Sequence, residues 1–174
     1  MQLIVKSLLK VFCLTVVIGP HTSCKNSRIN RLEGKEGRYM AKIVTSAGDH
    51  IDKLNNDTLD YLVFPFNVAE FSGNRNQKKT VFIIGKSINT GQNVSFLPLA
   101  TLTYNNGEER KVIVARPTNP QLVTAQIENY YDLISVHYGV QKLIETWITY
   151  SKGFGSLKYM EWNNEDSAIN FLGT

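Results

Sequence analysis

Val94-Ser95-Phe96-Leu97-Pro98-Leu99-Ala100-Thr101-Leu102-Thr103-Tyr104-Asn105-Asn106-Gly107-Glu108-Glu109-Arg110-Lys111-Val112-Ile113-Val114-Ala115-Arg116 is the stretch that decides the fold. Two runs of aliphatic, aromatic and β-branched residues flank an Asn-Gly pair. Asn-Gly tolerates the positive φ angles of a tight turn, so the stretch predicts an antiparallel hairpin of strands 94–104 and 109–116. Similar runs lie at 39–45, 58–64 and 80–86. Ala47-Gly48-Asp49, Asn55-Asn56-Asp57, Ser72-Gly73-Asn74 and Asn89-Thr90-Gly91 supply the turns between them. Five short strands at this spacing predict a small barrel or sandwich.

The period changes downstream. Val140, Leu143, Ile144, Trp147 and Ile148 fall on one face of a helix, which Gly153 and Gly155 are expected to end. A last strand is expected at 156–161. Asn164, followed by Glu165 and Asp166, reads as an N-cap with acid in the first turn of a helix running to Leu172. The segment from Asn119-Pro120 to Val136 is expected to be helical in part.

Upstream, Lys6 and Lys10 precede the uncharged apolar run 11–19, which is shorter than the ~20 apolar residues that span a bilayer. His21-Thr22-Ser23-Cys24 follows. A basic start, a short apolar run and small residues before a cysteine predict a bacterial lipoprotein signal over 1–23, cut before Cys24, although His21 stands where such motifs usually have Leu. The alternatives are a plain signal peptide with a chance cysteine, or a buried N-terminal helix. The chain has two cysteines, Cys13 and Cys24. Cys13 would leave with the signal, so an internal disulfide is ruled out and lipid on Cys24 would occupy the remaining thiol. The polar, glycine-containing residues 24–38 then read as a tether, and 39–174 as one domain in the bacterial cell envelope, held to a lipid membrane.

Nineteen Lys+Arg stand against fifteen Asp+Glu. Removing Lys6 and Lys10 leaves 17 against 15, and no basic stripe, so nucleic acid is not an expected partner. Gly85-Lys86-Ser87 lacks the glycine five residues earlier that a phosphate loop needs, since Thr80 stands there, and reads as a strand end. After the signal only His50 and His137 remain, with no cysteine free to join them, and there is no Gly-x-Ser-x-Gly elbow. A zinc site or a Cys-His nucleophile pair is therefore not expected from these residues. Tyr130, Tyr131, Tyr138, Trp147, Tyr150 and Trp162 read mainly as packing. Along Glu108-Glu109-Arg110-Lys111, alternation puts Glu109 and Lys111 on one face and Glu108 and Arg110 on the other. The group is either a solvated hairpin tip or a barrel mouth where Glu109 meets a cation and Lys111 a phosphate.

Four stretches, in order, resemble the soluble inorganic pyrophosphatases of family I. Phe64-Pro65-Phe66-Asn67-Val68-Ala69-Glu70-Phe71 is similar to that family's Tyr-Pro-x-Asn-Tyr-Gly segment. Pro98-Leu99-Ala100-Thr101-Leu102 with Gly107-Glu108-Glu109-Arg110-Lys111-Val112-Ile113-Val114-Ala115 is similar to Pro-x-Gly-x-Leu and Gly-Glu-x-Asp-x-Lys-Ile-x-Ala-Val. Trp147-Ile148-Thr149-Tyr150-Ser151-Lys152 resembles a helix ending His-Tyr-Lys, and Glu161-Trp162 with the following helix resembles Gly-Trp and a short Ala-rich helix. The resemblance covers about residues 40 to 172.

It implies an α+β, mainly β fold: a five-stranded OB-like barrel with C-terminal helices packed on it. It also implies magnesium-dependent hydrolysis of pyrophosphate to two phosphates, with aspartates on the metals and lysines, an arginine and tyrosines on the phosphates. Homo-oligomers are common in such a family. Lys111 and Tyr150 match phosphate-binding positions, and Glu109 replaces the last loop aspartate. The hallmark Asp-Gly-Asp-Pro-x-Asp is replaced by Asn76-Gln77-Lys78-Lys79-Thr80-Val81-Phe82, Val68 replaces a tyrosine, and Ser151 replaces a lysine. Three expectations follow. If the ancestral inorganic diphosphatase reaction is retained, magnesium is its cofactor and Glu109, Lys111 and Tyr150 are the catalytic candidates, with carboxylates such as Glu108 and Glu70 helping. If the metal site is lost, Lys78, Lys79, Lys111 and Tyr150 bind pyrophosphate or another phosphorylated anion without magnesium. The third is a structural envelope lipoprotein.

Overall fold

A computed structural model of the chain describes residues 39–49, 64–73, 77–151 and 155–173. The expected signal over 1–23, Cys24, the tether, His50, Lys152, Gly153 and all but the last residue of the run at 58–64 lie outside the described residues.

Six strands are present: β1 (Tyr39–Thr45), β2 (Asn67–Ser72), β3 (Lys78–Ile83), β4 (Asn93–Asn105), β5 (Glu109–Pro117) and β6 (Tyr159–Asn163). Their order is β1-β2-β3-β5-β4-β6, and β1 also pairs with β4, so the first five strands close into a ring with β6 alongside. All neighbours are antiparallel except β3 and β5, which run parallel. Phe64 precedes β2 and is not in a strand, and β2 takes up Asn67–Ser72, a segment too polar to read as a strand from composition alone.

The hairpin of β4 and β5 forms as its turn chemistry dictates. Asn105 pairs with Glu109, Gly107 takes φ 106°, and its N–H donates to Asn105 Oδ1 at 3.2 Å. The register slips between Pro98 and Ala100. Proline has no ladder donor, so a bulge is the tolerated place for it in an inner strand, and bulges bend a sheet.

Two cores result. Ala41, Ala69, Ile83, Phe96 and Ile113, one from each ring strand, belong to a single cluster and therefore point inward. Helix α2 (Glu165–Gly173) closes it with Ala168 and Leu172, and its Ser167 hydroxyl lies 3.0 Å from that of Thr101 on β4. The expected cap holds: Ser167 N–H donates to Asn164 Oδ1 at 3.2 Å. The outer face of β3, β4 and β5 carries Phe82, Leu102 and Val114 and is covered by helix α1 (Tyr138–Tyr150) through Ile144 and Ile148. Burying each of these isoleucines contributes roughly 1.5–3 kcal/mol. Glu145 ties α1 to β6 by accepting from Trp162 Nε1 at 3.1 Å. The helix ends at Tyr150 with Ser151 as its C-cap, and the Ser151 hydroxyl donates back to the Ile148 carbonyl. Between β5 and α1 the chain makes one 3-10 turn (Pro120–Leu122) and one π turn (Asp132–Val136).

Asn67 is fully buried and spends its amide on backbone. Its Oδ1 accepts from Ala47 N (3.0 Å) and Ile88 N (2.9 Å), and its Nδ2 donates to Ile83 O (3.3 Å) and Lys86 O (3.0 Å). One side chain thus joins the turn after β1, the start of β2 and the turn after β3. Gly85 has a different reason. A Cβ there would lie 2.7 Å from the Leu122 carbonyl oxygen, which accepts from Lys86 N. The glycine of Gly85-Lys86-Ser87 is explained by backbone crowding rather than by phosphate binding.

Candidate functional site

The parallel ladder of β3 and β5 begins at Val81 opposite Ile113 and runs through Phe82–Val114 and Ile83–Ala115. Continued two residues back it would set Lys79 beside Lys111, and three residues back Lys78 beside Arg110. Two unit charges about 5 Å apart repel by roughly 3 kcal/mol at an effective dielectric of about 20. The ladder stops at Val81–Ile113, one pair short of where these like charges would meet. Beside these two strand ends lies a cleft of about 490 Å³, walled by Lys78, Lys79, Arg110 and Lys111 and also by Phe64, Val68, Phe82, Val112 and Trp147.

Each cation is positioned differently. Lys78 pairs with Glu70 at 2.8 Å in an exposed bridge, which adds little stability but holds the ammonium near the cleft. Arg110 donates to Glu108 at 2.9 Å and stands opposite Tyr104 across the hairpin. Burial pushes the Tyr104 phenol above its ordinary range, and the guanidinium opposes the shift. Lys79 is only 5% exposed. Its ammonium donates to the Phe171 carbonyl and lies 4.8 Å from the centroid of the Phe171 ring. Burial holds it below the ordinary lysine range. Lys111 reaches the same ring at 4.9 Å. The last turn of α2 therefore gathers two lysines from two strands around one aromatic side chain, a contact worth about 0.5–1 kcal/mol per cation where water has access.

Lys78, Lys79 and Lys111 come together, as three of the four expected anion-binding residues. Tyr150 does not line the cleft: it is the last residue of α1 and 42% exposed. Glu109 also lies outside the wall. Its carboxylate accepts from the Tyr159 hydroxyl of β6, and that bond, more than desolvation, raises the tyrosine's pKa. Glu109 and Lys111 do share a face of β5, as alternation requires, but only Lys111 reaches the cleft. Arg110, expected at a solvated tip or barrel mouth, and Trp147, expected in packing, are also wall residues, as is Tyr104 at the end of its predicted strand. Counting pairs back from the Asn106-Gly107 turn sets Arg110 opposite Tyr104, so that contact had a signal; the meeting of β5 with β3 had none.

The wall does not suit magnesium. That ion takes oxygen ligands, usually carboxylates and waters. The cleft wall carries no carboxylate, and among the described residues no three His, Cys, Asp or Glu side chains come close enough to hold a metal. Ammonium and guanidinium groups instead suit an anion, which they can meet with charge-assisted hydrogen bonds.

No protein-family model matches the chain, and no curated protein matches it in sequence. Solved structures do match. The inorganic pyrophosphatase from Thermus thermophilus has a TM-score of 0.53 at 14% identity, over 76% of this chain and 86% of its own. The enzyme from Helicobacter pylori has 0.53 at 17%, over 76% and 88%. The type I inorganic pyrophosphatase from P falciparum has 0.56 at 12%, over 77% of this chain and 56% of its own. At such identities the likeness speaks for backbone architecture alone, and on it the chain has a divergent inorganic pyrophosphatase fold.

Proposed function

We propose that this chain is a degenerate pyrophosphatase that binds a phosphate-bearing anion without divalent metal and no longer hydrolyses pyrophosphate. The observation that carries the reading is the end of the β3–β5 ladder, beside which four cationic side chains and no carboxylate line one cleft. Lys78 and Lys79 occupy the stretch where the resembled family has its hallmark aspartates, so the charge there is inverted rather than merely lost. The domain with magnesium and pyrophosphate should release phosphate no faster than buffer does. Pyrophosphate should still bind, by calorimetry, in excess chelator. Turnover that Glu109→Ala abolishes would defeat the proposal, as would binding that appears only when magnesium is added.

The same proposal sets the domain at a bacterial envelope membrane through lipid on Cys24, supported by the basic start, the short apolar run and the single cysteine after it. Expressed in a bacterium, the full-length chain should incorporate labelled fatty acid and sediment with membranes. Cys24→Ala should do neither, and a Cys24→Ala chain that stays on the membrane would refute the anchor.

A further inference from the structure

The cleft is lined by two unlike sets of side chains. The cationic set stands on the ends of β3 and β5. The other set is the half-buried side chains of Phe64, Val68 and Trp147. Pyrophosphate is oxygen on every side and would leave that second set wet. We infer that the cleft takes an organic phosphate, with the phosphate against Lys79 and Lys111 and an aromatic or similarly flat apolar group against Trp147. This deepens the anion-site reading and rests on it. The cleft's volume, about 490 Å³, falls within the ~300–1,000 Å³ usual for small-molecule sites, which combine an apolar lining with a few fixed polar groups.

The aromatic lining is also packed in place before any ligand arrives. The Trp147 ring packs 4.9 Å from Phe64, 5.2 Å from Phe66 and 6.3 Å from Phe82, centroid to centroid. Phe64 is pinned by its backbone, its N–H donating to Asp49 O at 3.0 Å and its carbonyl accepting from Gly48 N at 2.8 Å. A platform held this way loses little side-chain freedom on binding, so contact area converts efficiently into affinity.

The test compares methyl phosphate, phenyl phosphate and inorganic pyrophosphate in excess chelator, with affinities from calorimetry. The Trp147 indole N–H, buried without an acceptor among the described residues, serves as a local NMR reporter. Phenyl phosphate should bind roughly tenfold or more tightly than methyl phosphate and should shift the indole resonance, since only it covers the aromatic wall. Phe64→Ala removes rim contact but keeps both backbone bonds. It should cut the phenyl advantage to about threefold or less and leave methyl phosphate binding unchanged. If Phe64→Ala unfolds the domain, Val68→Ala gives the same comparison at another lining residue. Equal binding of the two esters, with pyrophosphate also bound, would overturn this inference and leave a plain anion site. Failure of all three to bind would overturn the anion-site reading itself.

Discussion

Asn67→Leu should lower the melting temperature of the domain by about 10 °C or more, the largest loss expected from any single substitution away from the cleft. Leucine matches asparagine in shape and would bury more apolar surface, so a simple hydrophobic count predicts a gain. The hydrogen bonds decide otherwise. Removing the amide orphans two backbone N–H groups and two carbonyls, at Ala47, Ile88, Ile83 and Lys86. Each buried polar group left unpaired costs roughly 1–3 kcal/mol. Local relaxation recovers part of this, so about 3–5 kcal/mol is the expected net loss, a large share of the roughly 5–15 kcal/mol that holds a domain together. Thermal unfolding followed by circular dichroism is sufficient. A variant that melts within about 3 °C of the parent would show that the turns after β1 and β3 do not depend on this side chain.

The second large effect is on binding. Lys79→Met combined with Lys111→Met should weaken pyrophosphate binding by about 100-fold or more, because two charge-assisted hydrogen bonds at roughly 1.5–3 kcal/mol each are lost. Methionine keeps the length and most of the apolar stem, so packing around Phe171 is largely preserved. The domain should melt within about 5 °C of the parent. A larger drop would mark Lys79 chiefly as a tie to the Phe171 carbonyl, not a binding group. Titration separates the two further. Burial lowers the folded-state pKa of Lys79 below the 10.5 of the unfolded chain. The folded state therefore binds that proton less tightly, and the parent carries a penalty at pH values below the lowered pKa. As pH rises through the lowered value toward 10.5, the penalty disappears and the parent gains stability. The double variant lacks this gain, so the difference between the two melting curves should move in the parent's favour as the buffer is made alkaline.

What could be read in advance depended on whether a feature was local. The β4–β5 hairpin was legible because Asn106-Gly107 fixes a turn and the runs beside it alternate. The α1 face was legible because Val140, Ile144, Trp147 and Ile148 repeat with the helical period, although Leu143, expected on the same face, is 50% exposed. β2 was not, since Asn67, Glu70 and Ser72 dilute its strand character and what holds the segment is the distant network of Asn67. β3 begins two residues earlier than its β-branched run, on Lys78 and Lys79, because pairing with Ser72 and Phe71 outweighs the poor strand preference of lysine. Three lysines of the cleft could be named singly. That they converge, and that Arg110 joins them while Tyr150 does not, depends on β3 lying parallel to β5, a pairing between segments some thirty residues apart that no local pattern encodes.

That pairing has a mechanical side. β3 and β5 share only three register pairs, whereas β4 and β5 share nine. The ring is thus stitched unevenly, and one of its shortest seams runs beside the cleft. A ligand bridging Lys79 and Lys111 would act as a staple across that seam. By mass action it would stabilise the closed ring by RT ln(1 + [L]/Kd), so ligand supply would also set how firmly the ring stays shut.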